Sequence, residues 1–303
     1  MRILVWKALL AAAGIATLLA LTACGTGSNA AAAATDPINV VTSTNVWGDV
    51  AEEIGGDQVA VSSLIADPAA DPHSFEPTAQ AQLALSKAAL VVQNGGGYDD
   101  FMQTMLRSAT TGAPVIDAVQ VSGKQPVAGE LNEHVWYDLP TAGKVAARIA
   151  GELTTIRPEQ AALFQANLAT FTDRIAGLTA ATTAIKAGHA GAGVAITEPV
   201  PLYLTDAAGL VDKTPEQFSK AIEDGTDVPP TVLSDTLGLF TGRQVVVLVY
   251  NTQTSSPQTD QVLAAAKDNQ IPAVGVTETL PAGQDYLSWM DANIMALAGA
   301  LRG

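Results

Sequence analysis

The sequence predicts an α/β protein: two α/β lobes with parallel sheets, joined by one long rigid helix. In both halves of the chain, short β-branched or apolar runs alternate with amphipathic segments, which is the pattern of βαβ units. Between these halves, residues 139–186 are predicted to be helical almost throughout. The chain has 303 residues, 48% of them hydrophobic, so it is long enough to build a core in each lobe.

The N-terminal lobe is predicted to span residues 36–157. Its first helix stops at the Gly55-Gly56 pair, and its third strand ends at a run of Asn94 and three glycines. The alternation of patterns predicts strands at 38–43, 58–65, 89–93 and 114–119, and helices at 45–54, 78–87 and 100–109.

Residues 158–187 are predicted to form the linking helix. Pro158 suits the first turn of a new helix, and 29 residues of helix at 1.5 Å each reach roughly 43 Å. A coiled coil is the alternative, but the apolar stripe covers too few heptads to favour it. The stripe repeats at spacings of four and three residues and consists of Phe164, Leu168, Phe171, Ile175 and Leu178.

The C-terminal lobe, residues 188–303, returns to alternation. Strands are predicted at 194–197, 244–250 and 273–277, and helices at 231–240, 257–269 and 285–301. The two lobes share no close sequence repeat.

The N-terminal residues 1–23 have the features of an export signal. Arg2 and Lys7 precede 16 uncharged residues, fewer than the roughly 20 that span a bilayer comfortably. The signal ends in Leu-Thr-Ala followed by Cys24, which resembles the lipobox of bacterial lipoproteins and implies lipidation of Cys24. The alternative is an ordinary secretory signal with an incidental cysteine. Residues 24–35 are small and polar and are predicted to be a flexible tether.

Charge and cysteine content exclude several classes of function. A net charge of −15 argues against a nucleic-acid partner and suits a protein that handles cations. One cysteine excludes an internal disulfide framework and any multi-cysteine metal site. The sequence also lacks the motifs G-x-S-x-G and H-E-x-x-H and a P-loop, which lowers the expectation of a hydrolase or a nucleotide-dependent enzyme.

Four side chains that bind metals well lie in or next to loops. His73 follows the second predicted strand, and His134 precedes the helical region; Glu198 and Glu278 each directly follow a strand of the C-terminal lobe. Ligands of open α/β sheets bind at the carboxyl ends of strands. Two imidazoles and two carboxylates are a plausible site for a divalent transition metal. On spacing alone, a loop histidine is more often a surface or hydrogen-bonded residue than a ligand. Solvated acids at strand ends, or N-cap partners of the following helices, are the alternatives for Glu198 and Glu278.

Several segments in order resemble the metal-binding solute receptors of ABC importers that take up zinc or manganese. The segments are DPHSFEPT, LVVQNGGGYDDFM, HVWYD, ITEPVPLYL, VLVYNTQT and GVTETLP. The resemblance implies a metal held in the cleft between the lobes by His73, His134, Glu198 and Glu278. Two departures bear on the metal: Glu198 stands where many zinc receptors have a histidine, and Glu278 where aspartate is usual.

The resemblance implies a lipid-anchored monomer on the outer face of the bacterial cytoplasmic membrane. Such a receptor captures one divalent metal, zinc first and manganese second, and delivers it to an ABC transporter permease; it is not an enzyme and has no nucleic-acid partner. An adhesin or structural lipoprotein is the alternative, and a metal-dependent hydrolase is a weaker one, because four protein ligands close the coordination shell.

Overall fold

The computed structural model describes residues 36–67, 75–109, 111–126 and 131–302. Two four-stranded parallel sheets organise these residues, and the α/β fold predicted from the sequence is confirmed. The first sheet, in the order β2-β1-β3-β4, contains β1 (Ile38–Thr44), β2 (Val59–Ile65), β3 (Leu90–Gln93) and β4 (Val115–Asp117). The second, in the order β6-β5-β7-β8, contains β5 (Gly193–Ile196), β6 (Val211–Asp212), β7 (Val247–Asn251) and β8 (Ala273–Val276).

The two sheets therefore have the same topology, a repeat that the sequence did not reveal. In each, the chain leaves the first strand to one side and returns on its other side with the third strand. The carboxyl ends of β1 and β3, and of β5 and β7, flank these two switch points, where ligands of open α/β sheets bind.

Eleven α-helices in the described part of the chain cover the sheets and connect them. Several begin at a residue whose side chain accepts a backbone hydrogen bond; Asp138, Ser256 and Asp285 are examples. The helices are α1 (Asn45–Gly55), α2 (Ala79–Ser86), α3 (Asp100–Ser108), α4 (Ala118–Ser122), α5 (Leu139–Ile156), α6 (Ala161–His189), α7 (Leu202–Ala207), α8 (Glu216–Glu223), α9 (Pro230–Thr241), α10 (Pro257–Asp268) and α11 (Tyr286–Ala300).

The structure corrects the sequence prediction in two places. The strand predicted at residues 114–119 ends at Asp117, because the Asp117 carboxylate accepts from the backbone N–H of Gln120 and starts helix α4. Between residues 198 and 229, where no element was predicted, the chain forms α7, β6 and α8. Predicted helix 257–269 and strand 38–43 agree with α10 and β1 to within one residue at each end.

One hydrophobic core runs through both sheets. Helix α6 supplies Phe164, Phe171, Ile175, Leu178 and Ile185 to a single cluster that also contains strands of each sheet and residues of α5 and α11. Residues from Pro37 onward accordingly form one unit. Among the described residues, no helix combines the length and the apolar character needed to cross a bilayer.

Hydrogen bonds join the N-terminal half of the chain, which contains the first sheet, to the C-terminal half, which contains the second. They lie near the ends of the strands. The Asn45 side chain donates to the carbonyl of Leu280 and accepts from its N–H, both at 2.9 Å. The Tyr137 hydroxyl donates to the carbonyl of Thr277 at 2.7 Å, and the Tyr286 hydroxyl to that of Trp136 at 2.6 Å. Bonds to backbone atoms on both sides fix the register of one half against the other.

Replacement of Asp49 by asparagine should stabilise the fold above neutral pH. Its carboxylate accepts from the N–H of Tyr286 at 2.7 Å, while burial raises its pKa to about 6 from 3.8. The Asp49 carboxyl therefore binds its proton more tightly in the folded state than in the unfolded state. The free energy of unfolding accordingly decreases as pH rises from about 4 to about 6. Asparagine keeps an acceptor and carries no charge, which predicts a gain of about 1 kcal/mol at pH 8.

Thermal unfolding at pH 4 and pH 8 measures this effect. The gain should be present at pH 8 and nearly absent at pH 4, where Asp49 is protonated in the folded protein. Asp173→Asn, at an exposed position on α6, is the matched control. An equal gain at both pH values would contradict the assignment.

Candidate metal centre

His134 is fully buried immediately before a turn of 3-10 helix, Val135–Tyr137, that leads into α5. The residues of this turn are themselves buried and anchor the segment in the core. The rings of Tyr98 and Trp136 lie edge-on to the imidazole, with centroids 5.9 and 5.1 Å away. The imidazole therefore has a fixed position and orientation.

The side-chain amide of Asn132 fixes the tautomer of His134. Its Oδ1 accepts from the backbone N–H of His134 at 3.1 Å, and its Nδ2 donates to the carbonyl of Pro199 at 3.0 Å. Because both ends of the amide are thus assigned, the contact of 2.8 Å between Oδ1 and His134 Nδ1 requires the proton on Nδ1. In the neutral ring, Nε2 then carries a lone pair, the arrangement of a metal-binding histidine held by an outer hydrogen bond.

Glu278 follows strand β8 and faces this lone pair. Its Oε2 lies 3.9 Å from His134 Nε2. Its Oε1 accepts from Asn251 Nδ2 at 2.7 Å, and its backbone N–H donates to Gln253 Oε1 at 2.5 Å. Asn251 ends strand β7, so two neighbouring strands hold the carboxylate in place.

Glu198 follows strand β5 and is 3% exposed. Burial, followed by the negative charges of Glu223 and Glu278, raises the pKa of its carboxyl to about 8, against hydrogen bonds to Thr254 and Asn251 that lower it. This electrostatic coupling indicates that Glu198 belongs to the same buried acidic cluster as Glu278.

Glu223, which sequence reasoning missed, joins this cluster from the last residue of α8. Its Oε1 lies 3.4 Å from His134 Nε2, and its side chain is 12% exposed. One ligand atom from each of Glu133, His134 and Glu223 lies within 4.8 Å of the others, a spacing suited to a metal ion. Pro215, Gly225 and the spacing of Phe218 and Ile222 are local signals for α8, but nothing in the sequence indicated that Glu223 is buried beside His134.

Two residues of the sequence prediction lie outside the described residues, namely His73 and Cys24. The metal-binding role of His73 and the lipidation of Cys24 stay predictions. Phe75, two residues after His73, is described and packs on Phe101 of α3 with ring centroids 4.4 Å apart.

A cavity of about 680 Å³ adjoins the cluster on the side of Glu133 and Glu223. Among the charged residues described in its lining, carboxylates outnumber the basic residue Lys220. The acidic residues that line it are Glu133, Asp206, Asp212, Glu216, Glu223 and Asp224. Clefts lined by one sign of charge concentrate ions of the opposite sign, so this cavity favours cations.

Comparison with known proteins gives one family match that covers most of the chain. The family described as "ZnuA: Zinc-uptake complex component A periplasmic" matches residues 40–300. Among solved structures, one described as the crystal structure of ZnuA superposes with a TM-score of 0.73 and 22% identity, over 88% of this chain and 99% of that one. That likeness shows the shared fold.

Two curated relatives match part of the chain. The metal ABC transporter substrate-binding lipoprotein FimA of Streptococcus parasanguinis is 26% identical over 176 residues, which are 54% of this chain and 56% of FimA. The manganese-binding lipoprotein MntA of Bacillus subtilis (strain 168) is 32% identical over 168 residues, 53% of each chain. The alignments therefore span little more than half the length of these relatives.

Replacement of Asn132 by alanine should weaken metal binding by about 10- to 100-fold, the usual effect of losing a partner that orients a histidine ligand. The variant frees the tautomer of His134 and removes a bond to the carbonyl of Pro199, next to Glu198. Titration of the metal-free protein with Zn(II) measures the change.

Asn167→Ala is the matched control. Asn167 is also partly buried and donates to a backbone carbonyl, that of Ile54, at 3.0 Å. Equal losses of affinity in the two variants would assign the effect to general destabilisation.

Proposed function

The chain belongs to the family of the periplasmic zinc-uptake component A, and from this premise we propose that it is an extracytoplasmic receptor for a divalent transition metal. It captures one ion between its two halves and delivers it to an ABC import permease. The observation that carries the proposal is the buried imidazole of His134, whose Nε2 lone pair faces buried carboxylates.

The ligands that we propose are His73, His134, Glu198 and Glu278. Two observations support the last three: Glu278 Oε2 lies 3.9 Å from His134 Nε2, and the charge of Glu278 contributes to the raised pKa of the buried Glu198. Carboxylates therefore outnumber imidazoles among these three residues. A divalent cation offsets this excess of negative charge, which burial makes costly. His73 enters the set through its match to the family's D-P-H motif.

The zinc affinity should exceed the manganese affinity in vitro. Divalent affinities for a given set of nitrogen and oxygen donors follow an order in which Mn(II) binds more weakly than Zn(II). The donors here include more oxygen than a site with three histidines, which makes manganese the main rival as the transported ion. The name of the relative MntA records manganese binding in that protein.

Release of the ion should involve local segments more than a wide hinge. Helix α6 and α11 belong to one core with both sheets, and side-chain to backbone hydrogen bonds join the halves. A permease that docks across both lobes would then act on the segments that carry His134 or Glu278. We further propose that lipidation of Cys24 anchors the receptor, as a monomer, to the outer face of the cytoplasmic membrane.

Two other functions are weighed against this proposal. A metal-dependent hydrolase requires an open coordination position and a substrate pocket at the metal. The family is described as an uptake component, a transport role and not a catalytic one. Deletion of the gene distinguishes the receptor from an adhesin or structural lipoprotein. Loss of metal uptake would support the receptor, and unchanged uptake would support the adhesin or structural lipoprotein.

Substitution of the proposed histidine ligands should abolish tight binding. The purified protein should bind one Zn(II) per chain, and His134→Ala and His73→Ala should each weaken binding more than tenfold, since each removes a donor atom. Elemental analysis gives the stoichiometry, and competition titration gives the affinities.

His189→Ala, at the end of helix α6, removes the remaining histidine of the chain and serves as the control. Unchanged affinity in His134→Ala would remove His134 from the set. Unchanged affinity in His73→Ala would remove only His73, which is assigned through the motif, from the set of proposed ligands.

Metal affinity should fall as pH falls from 8 to 6. Glu198 has a pKa of about 8 in the metal-free protein, and a bound cation requires its ionised form, so a proton competes with the metal below that pH. Binding at pH 7 should release close to one proton from this group. Calorimetry in two buffers with different ionisation enthalpies measures that proton.

The variant Glu198→Gln is the control for this pH dependence. It should bind more weakly and lose the part of the dependence that lies between pH 7 and pH 8.5. Native affinity that stays constant over that range would contradict the assignment.

A further inference from the structure

We propose that Glu223 is an additional metal ligand and that its carboxylate raises the affinity for Mn(II) more than the affinity for Zn(II). The inference rests on the proposed receptor function, and it adds a donor that neither the sequence motifs nor the four proposed ligands include. The feature that carries it is the meeting of Glu223 with the Nε2 lone pair of His134.

The geometry is that of two donors pointing at one position. His134 is fully buried, and its Nε2 has no hydrogen-bond partner among the described residues. Because Asn132 holds the proton on Nδ1, the neutral ring directs the lone pair of Nε2 towards Glu223 Oε1, 3.4 Å away. A cation between the two atoms would accept a lone pair from each of them and so be held by two coordinate bonds.

The charge distribution supports the same conclusion. Both carboxylate oxygens of Glu223 are buried, as are Glu198 Oε2 and Glu278 Oε2. Glu223 also ends helix α8, where the helix dipole disfavours an anion.

The acidic cavity gives Glu223 a second property. Glu223 lines both this cavity and the buried cluster, so it stands between the two. Glu223 is among the residues that line the cavity and His134 is not, so a hydrated cation that enters there reaches Glu223 first. The same side chain that guides the ion inward is thus placed to become its ligand.

An additional carboxylate changes which metal the site suits. Zn(II) in proteins is satisfied by four donors in a tetrahedron, whereas Mn(II) is suited to hard oxygen donors and to octahedral sites. Loss of the Glu223 carboxylate should therefore lower Mn(II) affinity more than Zn(II) affinity.

The test compares Glu223→Gln, Glu223→Asp and Glu216→Gln with the native protein. Glu223→Gln removes the charge, and Glu223→Asp keeps the charge but withdraws the oxygens by one methylene. Glu216→Gln removes a charge from the same helix and the same cavity, at an exposed position, and is the matched control. Metal-free proteins are titrated with Mn(II) alone and with Zn(II) alone, and water-proton relaxation counts the waters on bound Mn(II).

Both Glu223 variants should bind Mn(II) at least tenfold more weakly, with a smaller loss for Zn(II) and more water on the bound Mn(II). Glu216→Gln should match the native protein. The proposal is overturned if both Glu223 variants keep native Mn(II) affinity and hydration, or if Glu216→Gln loses as much affinity as Glu223→Gln. Thermal unfolding of the metal-free variants checks folding, and Glu223→Asp decides the matter if Glu223→Gln does not fold.

These outcomes separate the ligand role from the receptor function. If the native protein binds metal and the Glu223 variants bind it equally well, Glu223 is not a ligand and the proposed receptor function stands. If the native protein binds neither Mn(II) nor Zn(II), both proposals are wrong.

Discussion

The side-chain amide of Asn132 is the interaction on which the centre depends. It holds the proton of His134 on Nδ1, and it donates to the carbonyl of Pro199, the residue after Glu198. One amide therefore sets the chemistry of the imidazole and positions the segment of the second half that carries a carboxylate. The Tyr203 hydroxyl donates to the carbonyl of Asn132 at 2.7 Å and holds this amide in place. The site is preorganised through hydrogen bonds made outside the proposed ligands.

The shared core explains how such a precise arrangement persists between two sheets. Helix α6 packs Phe164 and Ile185, near its opposite ends, into the same cluster, so the halves cannot separate without exposing apolar surface. Asn45 and Tyr137 then fix the register close to the site. Rigid halves leave only short segments free to respond to a partner, which is consistent with release through the loops that carry the donors.

The sequence predicted those parts of the structure whose signals are local. Strand β1 follows from a β-branched run and helix α10 from the alternation of strands and helices, whereas His134 and Glu278 entered the proposed set through the resemblance of their motifs to a known family. Glu223 could not be found in this way, because a glutamate at the end of a short helix has no local signature, and its burial results from tertiary packing. Likewise, the two sheets share their strand order, but this common topology could not be predicted, because the two lobes have no close sequence repeat.

The unfavourable features of the cluster are themselves evidence for a ligand. Native proteins rarely bury several carboxylates near one imidazole, since each loses hydration and repels the others. Glu198 has its pKa raised to about 8, mainly by burial, and Glu223 lies at the negative end of the α8 dipole, so both positions disfavour an ionised carboxylate. The carboxylates of Glu223 and Glu278 both approach the Nε2 atom of His134, where a divalent cation would offset their negative charge. A stable fold that carries such a local conflict is therefore the expected form of a protein built to take up a cation and to surrender it.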